Sequence, residues 1–362
     1  MKKLCFVCFN IEDMGGINRV VSGLCNEFCK NHLVHIVSIC DTGKKCYYSL
    51  NSEVKIHKIN NLPEDRIRNI VIKSFMNLKK YFSDNRFDII FMEGHYIPPI
   101  VLPIKFFTKS KFVFCDHGAL SNQLNDKKAT FFRKIASKYS DKVIVLTDST
   151  KKEYMDKFKI NSEKIISIPN FVDEDIFKYR GKYNENSKLI LSSGRLTREK
   201  GFEMIPNIGE KIFDKYPDWQ WHIYGDGPEY ESIQRKIANK KMEKHIILKG
   251  FADNMYKKYN EYGIFVLPSY REGFALVLLE AKANSIPMVS FDCVAGPSEI
   301  INDNMDGYLV PCYNEKVMSE KICALIEDNE LRSHFSQNCL IDIDKFDKKV
   351  IIKKWEDIIN DV

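Results

Sequence analysis

The sequence predicts an α/β protein built from two doubly wound domains, and three observations carry that expectation. Short apolar runs of strand length alternate with longer stretches of helical periodicity, the pattern of a parallel sheet covered on both faces. The alternation breaks off in a polar run without apolar periodicity, Phe177–Lys188, and then begins again. At 362 residues the chain is also long for one core and natural for two.

In the first half, strands are expected at Leu4–Phe9, Val34–Ile39, Phe87–Met92, Lys111–Cys115 and Lys142–Leu146. Helices are expected at Val20–Phe28, Ile67–Phe82 and Phe131–Tyr139. In the second half the strands are Leu189–Ser193, Trp219–Tyr224, His245–Leu248, Gly263–Leu267 and Pro287–Phe291. Ligands of such sheets sit at the carboxyl ends of the strands. The polar clusters at those ends are therefore the first candidates for chemistry. Gly15 and Gly16, at a strand-to-helix junction, can bring backbone N–H groups close to a phosphate. Their spacing is not the G-x-G-x-x-G of a dinucleotide fold, which disfavours a nicotinamide dehydrogenase. E-G-H-Y at Glu93–Tyr96 and D-H-G at Asp116–Gly118 follow two further strands. G-R-L-T-R-E-K-G at Gly194–Gly201 offers Arg195 as a fork and Lys200 as a point charge for a diphosphate.

The densest signal is S-Y-R-E-G-F-A-L-V-L-L-E-A, Ser269–Ala281. It follows a short strand closed by Pro268, and Gly273 offers a tight turn at little steric cost. A helix is expected over Phe274–Asn284, its free N–H groups facing any bound phosphate. Eight helical residues span about 12 Å, so Glu272 and Glu280 can stand at opposite ends of a nucleotide sugar. Glu280 lies inside an apolar run, where an unpartnered acid is costly.

Composition narrows the classes. No apolar run approaches the length of a membrane span, and the start, M-K-K-L-C-F-V-C-F-N, reads as a first strand and not a signal peptide. Eleven scattered cysteines, an odd number, suit a reducing cytoplasm. Cys5 and Cys8 form a C-x-x-C without a second pair at zinc spacing, and core packing explains them. The net charge of +6 is uneven, with 28 Lys and Arg against 20 Asp and Glu in residues 1–176, and 27 against 29 in 177–362. An anionic partner is expected on the first domain's side, and no nucleic acid. Lys105, Lys109, Lys111, Lys127, Lys128, Arg133, Lys134 and Lys138 are interleaved with Ile100, Val101, Leu102, Phe106, Phe107, Phe131 and Phe132. On one surface, that mixture suits anionic headgroups on the cytoplasmic face of the cell membrane.

The Glu-(seven residues)-Glu stretch resembles the retaining glycosyltransferases of family 4, whose motif is usually written E-G-F-G-L-x-x-x-E-A. Ala275 stands where the family often has glycine or proline. The likeness extends to the first glycine loop, to I-I-S-I-P-N-F-V followed by Asp173, and to the family's G-R-L-x-x-x-K-G. Phe171 replaces the usual glycine of the second of these.

The resemblance implies the GT-B fold, two Rossmann-like domains facing a cleft. It divides the chain into an acceptor-side domain (1–177), a nucleotide-sugar domain (178–345) and a last helix (346–362) returning to the first domain. It places Glu272 near the donor sugar, Glu280 on the ribose hydroxyls and His117 beside the anomeric carbon. Arg195 and Lys200 fall on the diphosphate. Gly15, Gly16, Phe251, Gly273, Phe274, Ala275 and Leu276 line the nucleotide sugar.

G-G-I-N-R-V and S-F-D-C-x-x-G-P-S-E-I-I look like bacterial surface-polysaccharide transferases, many of which extend polyprenyl-diphosphate oligosaccharides at the membrane. The reading is therefore transfer of a hexose or N-acetylhexosamine from a UDP-sugar to a saccharide acceptor, with the configuration retained. No cofactor and no metal are expected, since the D-x-D at Asp173–Asp175 lies in a Pro-Asn linker. A soluble acceptor such as a sugar phosphate, or a non-catalytic nucleotide-sugar-binding subunit, is the alternative.

Overall fold

A computed structural model describes residues 1–61 and 67–362. The chain divides into two compact units. The first comprises Met1–Asn170 with Ile351–Val362, and the second Phe171–Val350. The division thus falls ahead of the polar run Phe177–Lys188, where the break in periodicity predicts it.

The first unit is a seven-stranded parallel sheet of β1 (Lys3–Cys8), β2 (Leu33–Asp41), β3 (Lys55–Asn61), β4 (Ile89–Glu93), β5 (Lys111–Asp116), β6 (Lys142–Val145) and β7 (Ile165–Ser167). Its order is β3-β2-β1-β4-β5-β6-β7. The central strands are buried throughout, as near-continuous runs of Val, Ile, Leu, Phe and Cys require in a sheet with helices on both faces. All eleven cysteines are thiols. Trp355 of the last helix (Lys348–Asp361) lies 6.4 Å from Phe28 and 5.6 Å from Phe91 between ring centres. His32 Nε2 meets Glu356 at 3.0 Å, so residues from Ile351 onward complete the first unit's core.

The second unit repeats the plan with β8 (Leu189–Ser193), β9 (Gln220–Tyr224), β10 (Ile246–Gly250), β11 (Ile264–Leu267), β12 (Met288–Phe291) and β13 (Gly307–Val310). The order is β10-β9-β8-β11-β12-β13, again all parallel. Ser192, buried on β8, receives the Trp221 indole at 2.9 Å and donates to the Val266 carbonyl at 2.6 Å. One hydroxyl thereby satisfies polar groups of both neighbouring strands.

In each sheet the chain reverses direction once, between β1 and β4 and between β8 and β11. Such topological switch points open a crevice beyond the strands' carboxyl ends, where ligands of doubly wound sheets bind. The residues that follow those four strands form the two sites described next.

Candidate active site

In the second unit, the loop after β8 is Gly194–Gly201 and the loop after β11 is Pro268–Ala275. They touch at Gly201, which has φ 65°. A Cβ there would lie 2.0 Å from the Pro268 carbonyl oxygen, so no side chain fits between the loops. This close approach carries Lys200 to Glu272, whose carboxylate it meets bidentately at 2.7 and 2.9 Å. Glu272 is nearly buried, whereas Lys200 is about one-quarter exposed. Arg195, at the start of the same loop, is exposed and makes no side-chain ion pair with the described residues.

The helix after this turn runs Leu276–Ala283, two residues later than the sequence predicts. Its cap residue is Ala275, in the left-handed region at φ 35°, ψ 60°, and no side chain caps the helix. Gly273 does not take the left-handed turn; the strained position is Ala275. A residue with a Cβ is held there at a cost of about 1 kcal/mol, which explains why glycine suits it. The N–H groups of Leu276 and Val277 stand ahead of the first helical bond, donated by Leu278 to Ala275 at 2.8 Å. They form a positive end on the same loop that carries Glu272.

Glu280 faces inward on the same helix. It accepts a 2.5 Å hydrogen bond from Tyr259, a residue with no solvent exposure that nothing in the sequence singled out. Phe251, just past β10, is exposed, and Phe274 is buried against Phe346 at 5.7 Å. Gly296, at φ 101°, lets the loop after β12 lie against the Phe274 backbone, where a Cβ would come within 3.1 Å. Asp173 of the D-x-D caps the short helix Glu174–Lys178 through the Asp175 amide, and also accepts from the Tyr256 hydroxyl at 2.9 Å.

In the first unit, β1 leads to Gly15 and Gly16, and β4 leads to Glu93-Gly94-His95. Gly15 has extended backbone, and a Cβ on it would meet nothing within 4 Å, so its own fold does not demand glycine. The junction is held from behind by buried Asn18, whose amide donates to the Asn10 and Asp13 carbonyls at 2.7 and 2.8 Å. His117 Nε2 meets the buried Glu93 carboxylate at 2.6 Å. Its neighbour Asp116 takes a two-point contact from Arg133, at 2.6 and 3.2 Å, and a hydrogen bond from Tyr154. Burial alone would push the Asp116 carboxyl up, but Arg133 and Tyr154 hold it below the usual carboxylate range.

One expectation is corrected here. Arg133 is fully buried on Asp116, and Ile100, Val101 and Leu102 are core residues, so none of them belongs to a surface patch. What remains outside is Phe106 (87% exposed), Phe107, Phe131, Lys109, Lys111, Lys127, Lys128, Lys134 and Lys138. Lys105 is tied to Asp141 at 2.7 Å and to the Tyr139 carbonyl at 3.0 Å.

Two family models match the chain almost end to end. Residues 14–176 match Glycosyltransferase Family 4, and residues 173–339 match Glycosyl transferases group 1. The chain belongs to the family 4 glycosyltransferases. The amylovoran biosynthesis glycosyltransferase AmsD of Erwinia amylovora is 26% identical over 362 residues, covering 99% of this chain and all of its own. A Campylobacter jejuni α-1,4-N-acetyl-D-galactosaminyltransferase, named for its undecaprenol-diphosphate-linked substrate, is 25% identical over 100% of this chain and 99% of its own. Among solved structures, Staphylococcus aureus TarM with fondaparinux, α-GlcNAc-glycerol and UDP superposes with a TM-score of 0.83 at 17% identity. It covers 99% of this chain and all of its own. The fold of this glycosyltransferase is therefore GT-B.

Proposed function

We propose that this glycosyltransferase moves a hexose or N-acetylhexosamine from a UDP-sugar to a polyprenyl-diphosphate-linked saccharide, retaining the anomeric configuration, in bacterial surface-polysaccharide synthesis. The observation that carries the reading is the Lys200–Glu272 pair at the second switch point, with an uncapped helix start on the same loop that carries Glu272. A departing diphosphate needs positive charge and donors already in place, and Lys200, Arg195 and the Leu276 and Val277 amides supply both. Those cations do the work that a divalent ion does elsewhere, so the reaction proceeds without a metal. Glu272 and His117 orient the sugar, and Glu280, fixed by Tyr259, takes the ribose hydroxyls. Front-face attack assisted by the leaving phosphate is the course that the resemblance to the family implies. The UDP of the TarM crystal and the undecaprenol diphosphate in the Campylobacter enzyme's name support the donor and acceptor classes.

The direct test is UDP release from UDP-glucose, UDP-galactose, UDP-N-acetylglucosamine and UDP-N-acetylgalactosamine, with octyl glycosides as acceptors. One donor should give transfer with retention, unchanged by EDTA. Activity abolished by EDTA and restored by magnesium or manganese contradicts the metal-free reading.

The exposed residues Phe106, Phe107 and Phe131, with Lys127, Lys128, Lys134 and Lys138, support docking of the first unit on an anionic membrane. Among the described residues no helix is long and apolar enough to cross one. Each well-placed lysine contributes about 1 kcal/mol, weakened by salt. Sedimentation with vesicles containing anionic lipid should fall when Lys127, Lys128 and Lys134 are changed to Glu. Equal sedimentation of both proteins sinks the membrane assignment and leaves the donor chemistry intact.

A further inference from the structure

The turn Glu93-Gly94-His95 ends β4 at the first switch point, and its two polar side chains are each tied on one side only. Glu93 Oε2 meets His117 and the carboxylate takes a weak contact from the Cys115 thiol, while Oε1 is buried without a hydrogen-bond partner of ordinary strength among the described residues. Arg133 Nη2 meets His95 Nδ1 at 3.3 Å. A guanidinium can only donate, so Nδ1 is the acceptor and the ring proton sits on Nε2. That Nε2 is also buried and has no partner among the described residues. Arg133 cannot turn to relieve it, being fixed by Asp116 and by Gln123 at 2.5 Å. Burial, reinforced by the Arg133 charge, pushes the His95 pKa down, which keeps the ring neutral in this one tautomer.

A buried acceptor and a buried donor two residues apart, both unsatisfied, cost the chain stability on their own. Such a cost persists where a ligand completes the bonding. One donor with one acceptor matches a hydroxyl group, which both gives and takes a hydrogen bond. An anion would be repelled by Glu93, and an apolar group would satisfy neither atom.

We propose that Glu93 Oε1 and His95 Nε2 bind a hydroxyl of the acceptor saccharide, with Arg133 and Asp116 positioning His95. This rests on the reading that the chain transfers a sugar and that its first unit receives the acceptor.

The test uses the full chain, with octyl glucoside, octyl galactoside and octyl N-acetylglucosaminide as acceptor probes. His95→Phe keeps a ring and deletes the unsatisfied N–H, while Arg133 Nη2, which loses one acceptor, keeps Asp116 at 3.2 Å, so its melting temperature should equal or exceed that of the wild type. Its KM for the best octyl glycoside should rise about 10-fold or more, with KM for the UDP-sugar moving less than about twofold. His95→Gln, whose amide can donate outward and accept from Arg133, should stay within about threefold of the wild-type acceptor KM. A His95→Phe protein that melts lower and keeps its acceptor KM overturns the proposal, as does an equal rise in both KM values. If the wild type uses none of the probes, the transferase reading is what has failed. The melting comparison then still decides: a lower value for His95→Phe overturns the role of His95 as a ligand group, and an equal or higher value upholds it.

Discussion

Replacing Lys200 with alanine should lower kcat by about 10²-fold or more, the usual loss on removing one preorganised charge from a transition state. The effect should be larger than that of deleting a surface lysine, because Lys200 is built in from both sides. It is delivered by the close contact of Gly201 with Pro268, and it is the two-point partner of a nearly buried carboxylate. On the proposed reading, removing it takes away the diphosphate's cation and also one partner of Glu272. Lys200→Ala and Glu272→Gln should therefore be non-additive, as neighbours in one network are. Steady-state UDP release over a range of UDP-sugar concentrations measures it. A kcat within threefold of the wild type would show that the phosphate site lies elsewhere.

The largest stability change is expected at Lys282, on the same helix as Glu280. Its ammonium has no solvent exposure and lies on Asp306, itself fully buried, with Asp342 at 2.8 Å. Asp306 is further held by Asn302, through the backbone and side-chain nitrogens at 2.9 Å each. Lys282→Ala leaves a buried carboxylate without its cation, and such changes cost about 3–5 kcal/mol. Urea denaturation followed by circular dichroism should show the loss, and a change below about 1 kcal/mol would mean that water reaches the pair. Asp342 adds a pH dependence. Burial opposes its charge, but hydrogen bonds from Lys282 and Lys345 hold its pKa down to about 2. The folded pKa is thus below the unfolded one, so this contribution is present above the ordinary carboxylate range and is lost as pH falls toward 2.

The central strands were legible because they are apolar nearly throughout. Leu189–Ser193 is predicted to the residue, and most others to within one or two at each end. The missed strands, β3, β7 and β13, lie at sheet edges. There a strand packs against one neighbour only, so K-I-H-K-I-N-N can be half polar and still pair with β2. The pairing of Lys200 with Glu272 was not legible, since it depends on β8 lying beside β11, a non-consecutive neighbour. The left-handed turn at Ala275 was hidden for another reason. Local preference points to the glycine two residues earlier, whereas the turn falls at Ala275, which is buried with its backbone close to Gly296. Arg133 was read as surface because it belongs to a basic helix. Its burial follows from Asp116 on the neighbouring strand, a contact that no local pattern announces. Tyr259, which fixes Glu280, gives no signal at all among the tyrosines and lysines around it.

In the proposed reaction the second unit's switch point holds the nucleotide diphosphate, with Glu280 on the ribose. Calorimetric titration of UDP into the wild type, Lys200→Ala and Glu280→Ala, without added metal, measures both contacts. The wild type should bind without metal, and each variant should lose about tenfold or more, since the ribose contact is made in every bound state and free UDP carries the charge that Lys200 meets as the diphosphate departs. Equal UDP affinity in all three proteins would contradict this placement.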